Sequence, residues 1–463
     1  MRRPEADAPA LLYVYDVATR RSTALTAAEE GPRKLAVASS QWTPAGDALL
    51  VEAGGDLYLL RVPGDAARGA AVSAEPRRLT STAAEEKDPK ISPDGTMVGF
   101  VRDHDLHVID LATGAERAVT TGGTEEVANG EVDWVYDEEL DISSAWWWSR
   151  GKPARIAFLQ FDERPVPTYP IVDWIPTHPD LKPQHYPKAG DPNPIVRLGV
   201  AGTDGGPTKW IDLGSNTDIY VPRVAWLARG SLAVQRMNRA QTRLELLECG
   251  VETGACRAIL EEKDAKWLNI GDDSSFFEKY FLWGSERDGQ RHLYMYETAT
   301  GRLMRQVTRG AWSVTDLAPT RENGPIFFTA TEKSPIERHL YRVNLDGSGL
   351  TRLTRENGWH TTWINGTGVE PGKAMFIDSL STANEPARIT LRRIDGTLID
   401  TLDEGVAKEL AGYRRGRVEF RTVPAPDGTA LPAALTLPPD FDPKKKYPVL
   451  VYVYGGPHAQ VVT

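Results

Sequence analysis

The sequence predicts an all-β protein built as an eight-bladed β-propeller. A strand-like pattern bounded by acidic or turn residues recurs at steps of 45 to 50 residues, with one step of 91. Strand-rich, turn-punctuated repeats of this length are typical of propeller blades. The eight positions that mark the pattern are Leu12, Leu57, Leu106, Arg197, Leu244, Leu293, Leu340 and Thr390. A pair of β-sandwiches is the alternative, which the regular step does not favour.

Turn residues precede apolar strands within these units. Ser92-Pro93-Asp94-Gly95 and Thr43-Pro44-Ala45-Gly46 each lead into such a strand, as blade turns should. The long step, from Leu106 to Arg197, exceeds its neighbours by about one blade's worth of residues. It predicts an insertion at about 125–190, and functions are often placed on insertions into regular arrays.

The pattern changes after Ile399, and a domain boundary is predicted between residues 404 and 405. A hairpin is predicted around Asp427-Gly428. The run Val449–Tyr454 is almost continuously apolar, which is typical of a strand buried on both faces of an α/β sheet. We expect it to begin a second domain whose remainder would lie beyond Thr463.

Composition limits the classes of function. The chain has 463 residues, of which 41% are hydrophobic, and a formal net charge of −10. Its acidic and basic residues are well mixed, which argues against nucleic-acid binding through a basic patch. No run of 18 apolar residues occurs, so no membrane-spanning helix is predicted. The first residues lack the apolar stretch of a signal peptide.

The two cysteines flank a predicted hairpin that turns near Glu252–Gly254. Cys249 and Cys256 would lie roughly opposite each other, which permits a cross-strand disulfide, and two free thiols fit the sequence equally well. Their spacing does not indicate a metal site, and no metal or other cofactor is expected.

The segment Asp133–Glu139 concentrates negative charge. Three consecutive carboxylates, Asp137, Glu138 and Glu139, follow a strand-like run of aromatic residues. Such charges repel one another unless a cation lies among them. We expect the α-ammonium of a peptide to be that cation. A solvated acidic turn is the alternative.

Together these motifs resemble the dipeptidyl peptidase IV branch of the prolyl oligopeptidase family of serine peptidases. The matching segments are Asp133–Glu139, Trp146–Trp148, Tyr186–Gly190 with Asn193-Pro194, Ser285–Gly289 with Arg291–Tyr294, and Tyr447–Pro457. The resemblance implies an eight-bladed propeller over residues 1–404. It also implies that residues 405–463 form the first strands of an incomplete α/β-hydrolase domain.

The resemblance also implies roles for individual residues. Glu138 and Glu139 would bind the free amino terminus of the substrate, because two carboxylates can satisfy the three donors of an ammonium. Their position would restrict cleavage to the bond after the second residue, releasing dipeptides of the Xaa-Pro or Xaa-Ala type. Asp137 would be a bystander. Tyr454 matches the tyrosine whose hydroxyl helps to hold the oxyanion.

The sequence departs from the family pattern in its catalytic machinery. The Gly-x-Ser-x-Gly elbow that carries the nucleophile occurs nowhere in the chain. We therefore expect a chain truncated at both ends, with the Ser-Asp-His triad beyond Thr463 and no activity on its own. Arg77 and Arg78 are the nearest candidates for the arginine that holds a substrate carbonyl in some relatives. Two solvated arginines are the alternative reading of that pair.

The resemblance further implies peptides with a free amino terminus as partners. It implies a homodimer for the full-length protein and a periplasmic or extracellular location. The competing hypothesis is a non-catalytic propeller that binds peptides or proteins. A tripeptidyl or acylaminoacyl peptidase is a third hypothesis, and the latter fits two acids at the amine site poorly because its substrates carry no ammonium.

Overall fold

A computed structural model gives the structure of residues 11–27, 31, 34–62, 75–364, 374–407, 410–454 and 461–462. By compactness the chain divides into two units, Met1–Ile270 and Gly271–Thr463. The described residues are mostly β, with 36 strands and one α-helix. No helix among them has the length and apolar character needed to cross a bilayer.

The unit Met1–Ile270 holds two four-stranded sheets, two five-stranded sheets, two hairpins and the helix among its described residues. Its elements in chain order are β1 (Tyr13–Asp16), β2 (Arg21–Ala24), β3 (Val37–Trp42), β4 (Ala48–Ala53), β5 (Asp56–Arg61), β6 (Arg77–Arg78), β7 (Lys87–Ile91), β8 (Met97–Arg102), β9 (Asp105–Asp110), β10 (Glu116–Ala118), β11 (Val127–Asn129), α1 (Trp134–Leu140), β12 (Trp146–Trp148), β13 (Arg155–Asp162), β14 (Thr168–Asp173), β15 (Asp180–His185), β16 (Ile195–Gly202), β17 (Lys209–Trp210), β18 (Ile219–Tyr220), β19 (Val224–Trp226), β20 (Leu232–Asn238), β21 (Arg243–Cys249) and β22 (Cys256–Lys263).

The unit Gly271–Thr463 holds three four-stranded sheets and a hairpin among its described residues. Its strands in chain order are β23 (Ser275–Phe276), β24 (Tyr280–Ser285), β25 (His292–Glu297), β26 (Leu303–Gln306), β27 (Val314–Leu317), β28 (Ile326–Ala330), β29 (His339–Val343), β30 (Thr351–Arg352), β31 (Trp359–Ile364), β32 (Met375–Ser381), β33 (Arg388–Arg393), β34 (Leu398–Asp403), β35 (Arg417–Pro424) and β36 (Ala430–Leu437).

The repeat detected in the sequence corresponds to one position in these sheets. Each four-stranded sheet is an antiparallel meander whose strands follow in chain order. In the two five-stranded sheets the first strand is split in two, so that β11 and β12 both pair with β13, and β18 and β19 both pair with β20. Seven of the eight sequence markers lie on the third strand of a sheet. The repeat therefore predicted the blades correctly for these seven units.

The eighth marker, Leu12, lies beside the two-stranded hairpin β1–β2 rather than in a four-stranded sheet. Its main-chain N–H donates to Thr26 Oγ1 at 2.9 Å. The same bond, from a marker leucine to a threonine hydroxyl at the fourth strand, recurs in four complete sheets. These pairs are Leu57–Thr80, Leu106–Thr120, Leu293–Thr308 and Leu340–Thr354. The hairpin β1–β2 thus resembles the third and fourth strands of a blade. The described residues form seven complete sheets in addition to it.

The aromatic run Trp146–Trp148 forms β12 and joins two neighbouring sheets. Trp146 and Trp148 pack with Val101 and Leu106 of the preceding sheet and with Phe158 of their own. Gly99 makes room for them, because a Cβ built there would lie 2.8 Å from Trp146 and 3.0 Å from Trp148. The Trp146–Trp148 segment noted in the sequence is therefore a strand, paired with β13, whose indoles connect two sheets.

The prediction for the last segment is wrong in part. The hairpin around Asp427-Gly428 is present as β35–β36. The run Val449–Tyr454, however, forms no strand, and its side chains are 58–96% exposed. A buried strand needs a ladder partner and cover on both faces, and among the described residues none pairs with this run. Residues 455–460, with the Gly-Gly-Pro-His motif, lie outside the described residues.

Candidate functional site

The acidic motif lies on an excursion from the first strand of one sheet. Strand β11 runs to Asn129 and β12 resumes at Trp146, both paired with β13. Gly130 N–H donates to the carbonyl oxygen of Leu159, and Leu159 N–H donates to the carbonyl oxygen of Ala145, each at 2.8 Å. The excursion therefore starts and ends at one residue of β13, and residues 131–144 project from a fixed base.

The motif is helical, so the prediction of a strand-like segment was wrong. Helix α1 runs from Trp134 to Leu140, and Asp133 caps its amino end. The Asp133 carboxylate accepts from the N–H groups of Val135 at 3.1 Å and Tyr136 at 3.3 Å. An aspartate is among the best N-cap residues, and this cap outweighs the strand preference of Trp-Val-Tyr. The helix ends at Asp141, whose φ of 52° is left-handed.

Residues of two neighbouring sheets anchor the helix. Tyr136 is buried, and its hydroxyl accepts a hydrogen bond from the N–H of Val221 at 2.8 Å. Its ring packs edge-on against Phe161 with centroids 4.6 Å apart. At the other end, Arg223 Nη1 donates to the carbonyl oxygen of Leu140 at 3.3 Å. Helix α1 is thus held at its middle and at its carboxyl end, in addition to the base of the excursion.

The other sequence motifs of the insertion contact the same region. Tyr186, of the Tyr-Pro-Lys motif, packs on Trp134 with ring centroids 4.3 Å apart. Asn193 Nδ2 donates to the hydroxyl of Tyr220 at 2.7 Å, and the Tyr220 ring lies 6.1 Å from that of Tyr136. Three segments separated in sequence therefore support one short helix.

Glu138 and Glu139 lie on the solvent side of α1, and both side chains are exposed. Within the described residues, neither carboxylate has a hydrogen bond or an ion pair. Asp137 is also exposed, and its main-chain N–H continues the helix by donating to the Asp133 carbonyl oxygen at 3.1 Å. The structure therefore places the two predicted acids in one anchored helix, where their acceptor atoms have no partner among the described residues.

A cavity of about 260 Å³ lies beside the amino end of α1. Four carboxylic acids and two histidines contribute to its lining. They are Glu125, Glu131, Asp133, Glu163, His104 and His185. Glu131 is hydrogen-bonded to His104 Nδ1 at 2.9 Å and is ion-paired with Lys87. The amino end of the helix thus rests on an acidic cavity that is separate from the exposed acids Glu138 and Glu139.

Two carboxyl groups of this cavity, the buried Asp133 and the half-buried Glu163, bind protons more tightly than usual. Burial raises the pKa of Asp133 to about 6, against hydrogen bonds from Val135 and Tyr136 that act in the opposite direction. Burial also raises the pKa of Glu163 to about 7, and the charge of Asp133 adds to this effect. Neither residue was recognised from the sequence. The N-cap position of Asp133 before an apolar helix was the usable signal, whereas Glu163 has none.

The remaining predicted residues have different surroundings. Arg77 Nη1 donates to the carbonyl oxygen of Leu111 at 2.7 Å. Arg78 is ion-paired with Asp56, and its Nε donates to the carbonyl oxygen of Thr80 at 2.8 Å. Both arginines thus have partners within and between sheets. Tyr454 lies in the unit Gly271–Thr463 and is 58% exposed, and its hydroxyl has no hydrogen bond among the described residues.

Repeated four-stranded meanders with a helical insertion define a β-propeller protein. A family model described as the dipeptidyl peptidase IV (DPP IV) N-terminal region matches residues 69–387. The chain therefore belongs to the dipeptidyl peptidase IV branch of the prolyl oligopeptidase family, as the sequence motifs had indicated.

Known proteins of similar sequence and structure agree with this assignment. A probable dipeptidyl-aminopeptidase B of Emericella nidulans is 30% identical over 411 residues, covering 80% of this chain and 44% of the relative. Dipeptidyl peptidase 4 of Trichophyton equinum is 29% identical over 398 residues, covering 80% and 50%. The crystal structure of Porphyromonas gingivalis dipeptidyl peptidase 4 has a TM-score of 0.83 and 28% identity, covering 97% of this chain and 64% of that one. This chain thus spans about half the length of these curated relatives.

Proposed function

We propose that the chain is the propeller portion of a serine dipeptidyl peptidase that releases amino-terminal dipeptides. Glu138 and Glu139 bind the α-ammonium of the substrate in this proposal. The observation that carries it is the pair of exposed carboxylates on α1, which lack an ion-pair partner among the described residues. A helix anchored through Tyr136 and Arg223 supports them, and such support fixes how far a peptide can enter.

The pair suits an ammonium better than a guanidinium or a metal ion. An ammonium is a compact point charge with three donors, which carboxylates on adjacent helical residues can accept from different directions. Charge-assisted hydrogen bonds of this kind are each worth about 1.5–3 kcal/mol. Asp137, on the same exposed turn, has no assigned part in binding and supplies a matched control.

The test is dipeptide release by a full-length version that carries Glu138→Gln and Glu139→Gln. Loss of two charge-assisted bonds should lower kcat/KM for a free-amine Xaa-Pro chromogenic substrate by at least about 100-fold. Asp137→Asn should leave kcat/KM within about threefold. Near-normal release by the double variant would show that the acids do not bind the amine. Retained binding of a protein partner by the double variant, without any dipeptide release by the wild type, would favour the non-catalytic propeller.

Catalysis needs groups that the present chain does not carry. No Gly-x-Ser-x-Gly elbow occurs in the 463 residues, so we propose that the triad belongs to further sequence of a longer protein and that this chain alone is inactive. Tyr454 would supply an oxyanion donor. A blank assay of this chain with Xaa-Pro and Xaa-Ala substrates is the expected result. Turnover that a serine reagent inhibits would contradict it.

The domain organisation is proposed to follow the family. Residues 1–404 would form eight blades, with β1–β2 as the outer half of the eighth, and residues 405–463 would begin the α/β-hydrolase domain. The shared leucine-to-threonine bond supports the assignment of β1–β2. The exposed apolar run Val449–Tyr454 suits a strand that further sequence would cover.

The full-length protein is proposed to be an exported homodimer. The hairpin β14–β15 lies within the insertion and exposes the apolar side chains of Tyr169, Ile171, Trp174, Ile175 and Leu181. Exposed apolar groups concentrated on one arm are typical of an association surface. Cys249 and Cys256 form a disulfide across β21 and β22, which suits a periplasmic or extracellular location.

A further inference from the structure

A groove in the unit Gly271–Thr463 runs between two edge strands, β27 and β31. It encloses about 600 Å³. Its lining is largely uncharged, with one arginine and one aspartate among threonines and tryptophans. The residues that matter here are Thr315, Asp316, Arg338, Trp359, Thr362 and Trp363. None of them belongs to helix α1 or to the acidic cavity.

Arg338 brings a positive charge to this groove, and among the described residues no carboxylate is ion-paired with it. Its guanidinium stacks on the Trp359 ring at 4.4 Å. Nη1 donates to the carbonyl oxygens of Pro335 at 3.0 Å and Glu337 at 2.9 Å. Within the described residues it forms no ion pair, and Nε and Nη2 have no acceptor. Burial lowers the pKa of Arg338 because part of its hydration is lost, and the negative charge of Asp316 acts in the opposite direction. A planar guanidinium whose Nε and Nη2 donors have no acceptor fits a carboxylate.

Asp316 acts on Arg338 only through its charge, because the two side chains form neither an ion pair nor a hydrogen bond. Its Oδ2 accepts a hydrogen bond from the Thr329 hydroxyl at 2.8 Å. Thr329 is in turn bonded to the Thr315 hydroxyl at 2.7 Å. The aspartate is therefore engaged in a hydroxyl network on the β27 side. The positive charge remains on the β31 side, which favours an anionic ligand there.

Within the part of the chain that the structure describes, the edge of β31 has main-chain groups without a partner beside Arg338. His360 N–H donates to the carbonyl oxygen of Arg338 at 3.0 Å, so it points away from β32. The register between β31 and β32 has no shift, and alternate residues of a strand direct their N–H and C=O groups to the same side. Thr362 therefore presents its main-chain groups on the free edge. An extended peptide can add to such an edge as a further strand.

Trp363 supplies apolar surface for such a peptide. Its side chain is 56% exposed, and it follows the edge residue Thr362 directly. Indole surface of this kind stabilises a complex when a ligand covers it. The groove therefore combines an edge for main-chain pairing, an aromatic surface and one cation.

We propose that this groove binds an extended peptide segment along β31, with an aspartate or glutamate side chain of the peptide paired to Arg338. The peptide chain pairs with Thr362, and an apolar residue beside the acid covers Trp363. This second peptide site does not depend on the assignment of Glu138 and Glu139.

The test uses this chain and a fluorescent eight-residue peptide that is acetylated, amidated and carries one central glutamate. Acetylation removes the α-ammonium, so the amine site is not probed. Replacing the glutamate with glutamine should weaken binding by about tenfold or more, as expected for one charge-assisted bond. Binding is measured at about 0.15 M salt, because the net charge of −10 repels acidic peptides at longer range.

Variants locate the site. Arg338→Gln should weaken the binding of the glutamate peptide about tenfold and leave the binding of the glutamine peptide unchanged. Trp363→Ser should weaken the binding of both peptides and leave the unfolding midpoint unchanged, because the side chain is exposed. This variant keeps the proposal testable if the Arg338 variant does not fold. Arg305→Gln, an exposed arginine on β26, is the matched control and should change nothing.

Three results would overturn the proposal. One is equal binding of the glutamate and glutamine peptides by the wild type. Another is binding that neither Arg338→Gln nor Trp363→Ser weakens. Tight binding of only a peptide with a free carboxyl terminus would also refute the side-chain assignment. The double Glu138→Gln, Glu139→Gln variant should bind the peptide normally, so failure of the amine site and failure of this groove are distinguishable.

Discussion

The Tyr136 hydroxyl accepts a hydrogen bond of 2.8 Å from the N–H of Val221, and this bond joins helix α1 to the segment between β18 and β19. Both residues are buried. The bond crosses from one sheet of the propeller to the next, so the position of the acidic helix depends on the packing of two blades.

Tyr136→Phe tests this dependence. Removing the hydroxyl leaves the buried Val221 N–H without an acceptor, which should lower the free energy of unfolding by about 1–3 kcal/mol. In the full-length protein KM for a free-amine dipeptide substrate should rise more than kcat falls, if the helix carries the groups proposed to bind the substrate amine. Denaturant unfolding of this chain and steady-state kinetics measure the two effects. The exposed Tyr413→Phe is the control, and an unchanged unfolding midpoint for Tyr136→Phe would contradict the prediction.

The acidic cavity makes stability depend on pH. Asp133 and Glu163 have pKa values of about 6 and about 7, against ordinary values of 3.8 and 4.5. The folded protein therefore holds protons that the unfolded chain releases, and these two groups lower the free energy of unfolding as pH rises from about 4 to about 7. Below that range the two groups are protonated in both the folded and the unfolded chain. Above it the loss of unfolding free energy that they cause is constant.

Glu163→Gln should remove the part of this pH-dependent loss of stability that Glu163 causes. At pH 8 the variant should be more stable than the wild type by about 1 kcal/mol, a figure reduced for the partial exposure of the side chain. At pH 4 the two should be equally stable. Urea unfolding at both pH values measures the difference. Glu126→Gln, an exposed carboxylate nearby, should give no gain at either pH, and a gain that is independent of pH would exclude titration as its cause.

The blades were predictable because their determinants are local and repeated. Leu106, Leu293 and Leu340 each lie near the start of an apolar strand of a meander. Each main-chain N–H donates to a threonine hydroxyl just beyond the end of the next strand. An apolar residue followed by threonine recurs at these fourth strands, as in Val119-Thr120 and Val307-Thr308. That second repeat was a usable signal for the blade edges.

The site was only partly predictable because its conformation depends on distant contacts. The choice of Glu138 and Glu139 came from a motif, and the structure brings them together on one helix. The helix itself was missed, since Trp-Val-Tyr prefers strands and its supports, Val221 and Arg223, lie far along the chain. The prediction of a buried strand at Val449–Tyr454 failed for a related reason. Apolar composition predicts burial, but burial needs partners that the described residues do not provide.

The exposed hairpin β14–β15 gives a prediction about assembly. Trp174 is 75% and Ile175 is 95% exposed at its tip. If the hairpin mediates the proposed dimer, Trp174→Ser with Ile175→Ser should convert the full-length protein to a monomer, because the apolar contact area is lost. Sedimentation velocity measures the change in mass. The control Leu303→Ser with Met304→Ser removes exposed apolar groups elsewhere and should leave the dimer intact, and a dimer that survives the first double change would place the interface outside the hairpin.

Gly99 gives the most direct test of how the insertion is held. It lies on β8, and a methyl group at this position would approach Trp146 to 2.8 Å and Trp148 to 3.0 Å, in the strand where the excursion returns to its sheet. Both indoles are packed in a shared core, so neither can move without disturbing the next sheet. Gly99→Ala should therefore lower the free energy of unfolding by about 1–3 kcal/mol through overpacking. Gly151→Ala, where an added Cβ meets nothing within 4 Å, should be close to neutral. Equal unfolding midpoints for the two variants would show that β12 can shift, and that the base of the acidic excursion is less firmly held than its hydrogen bonds to Leu159 indicate.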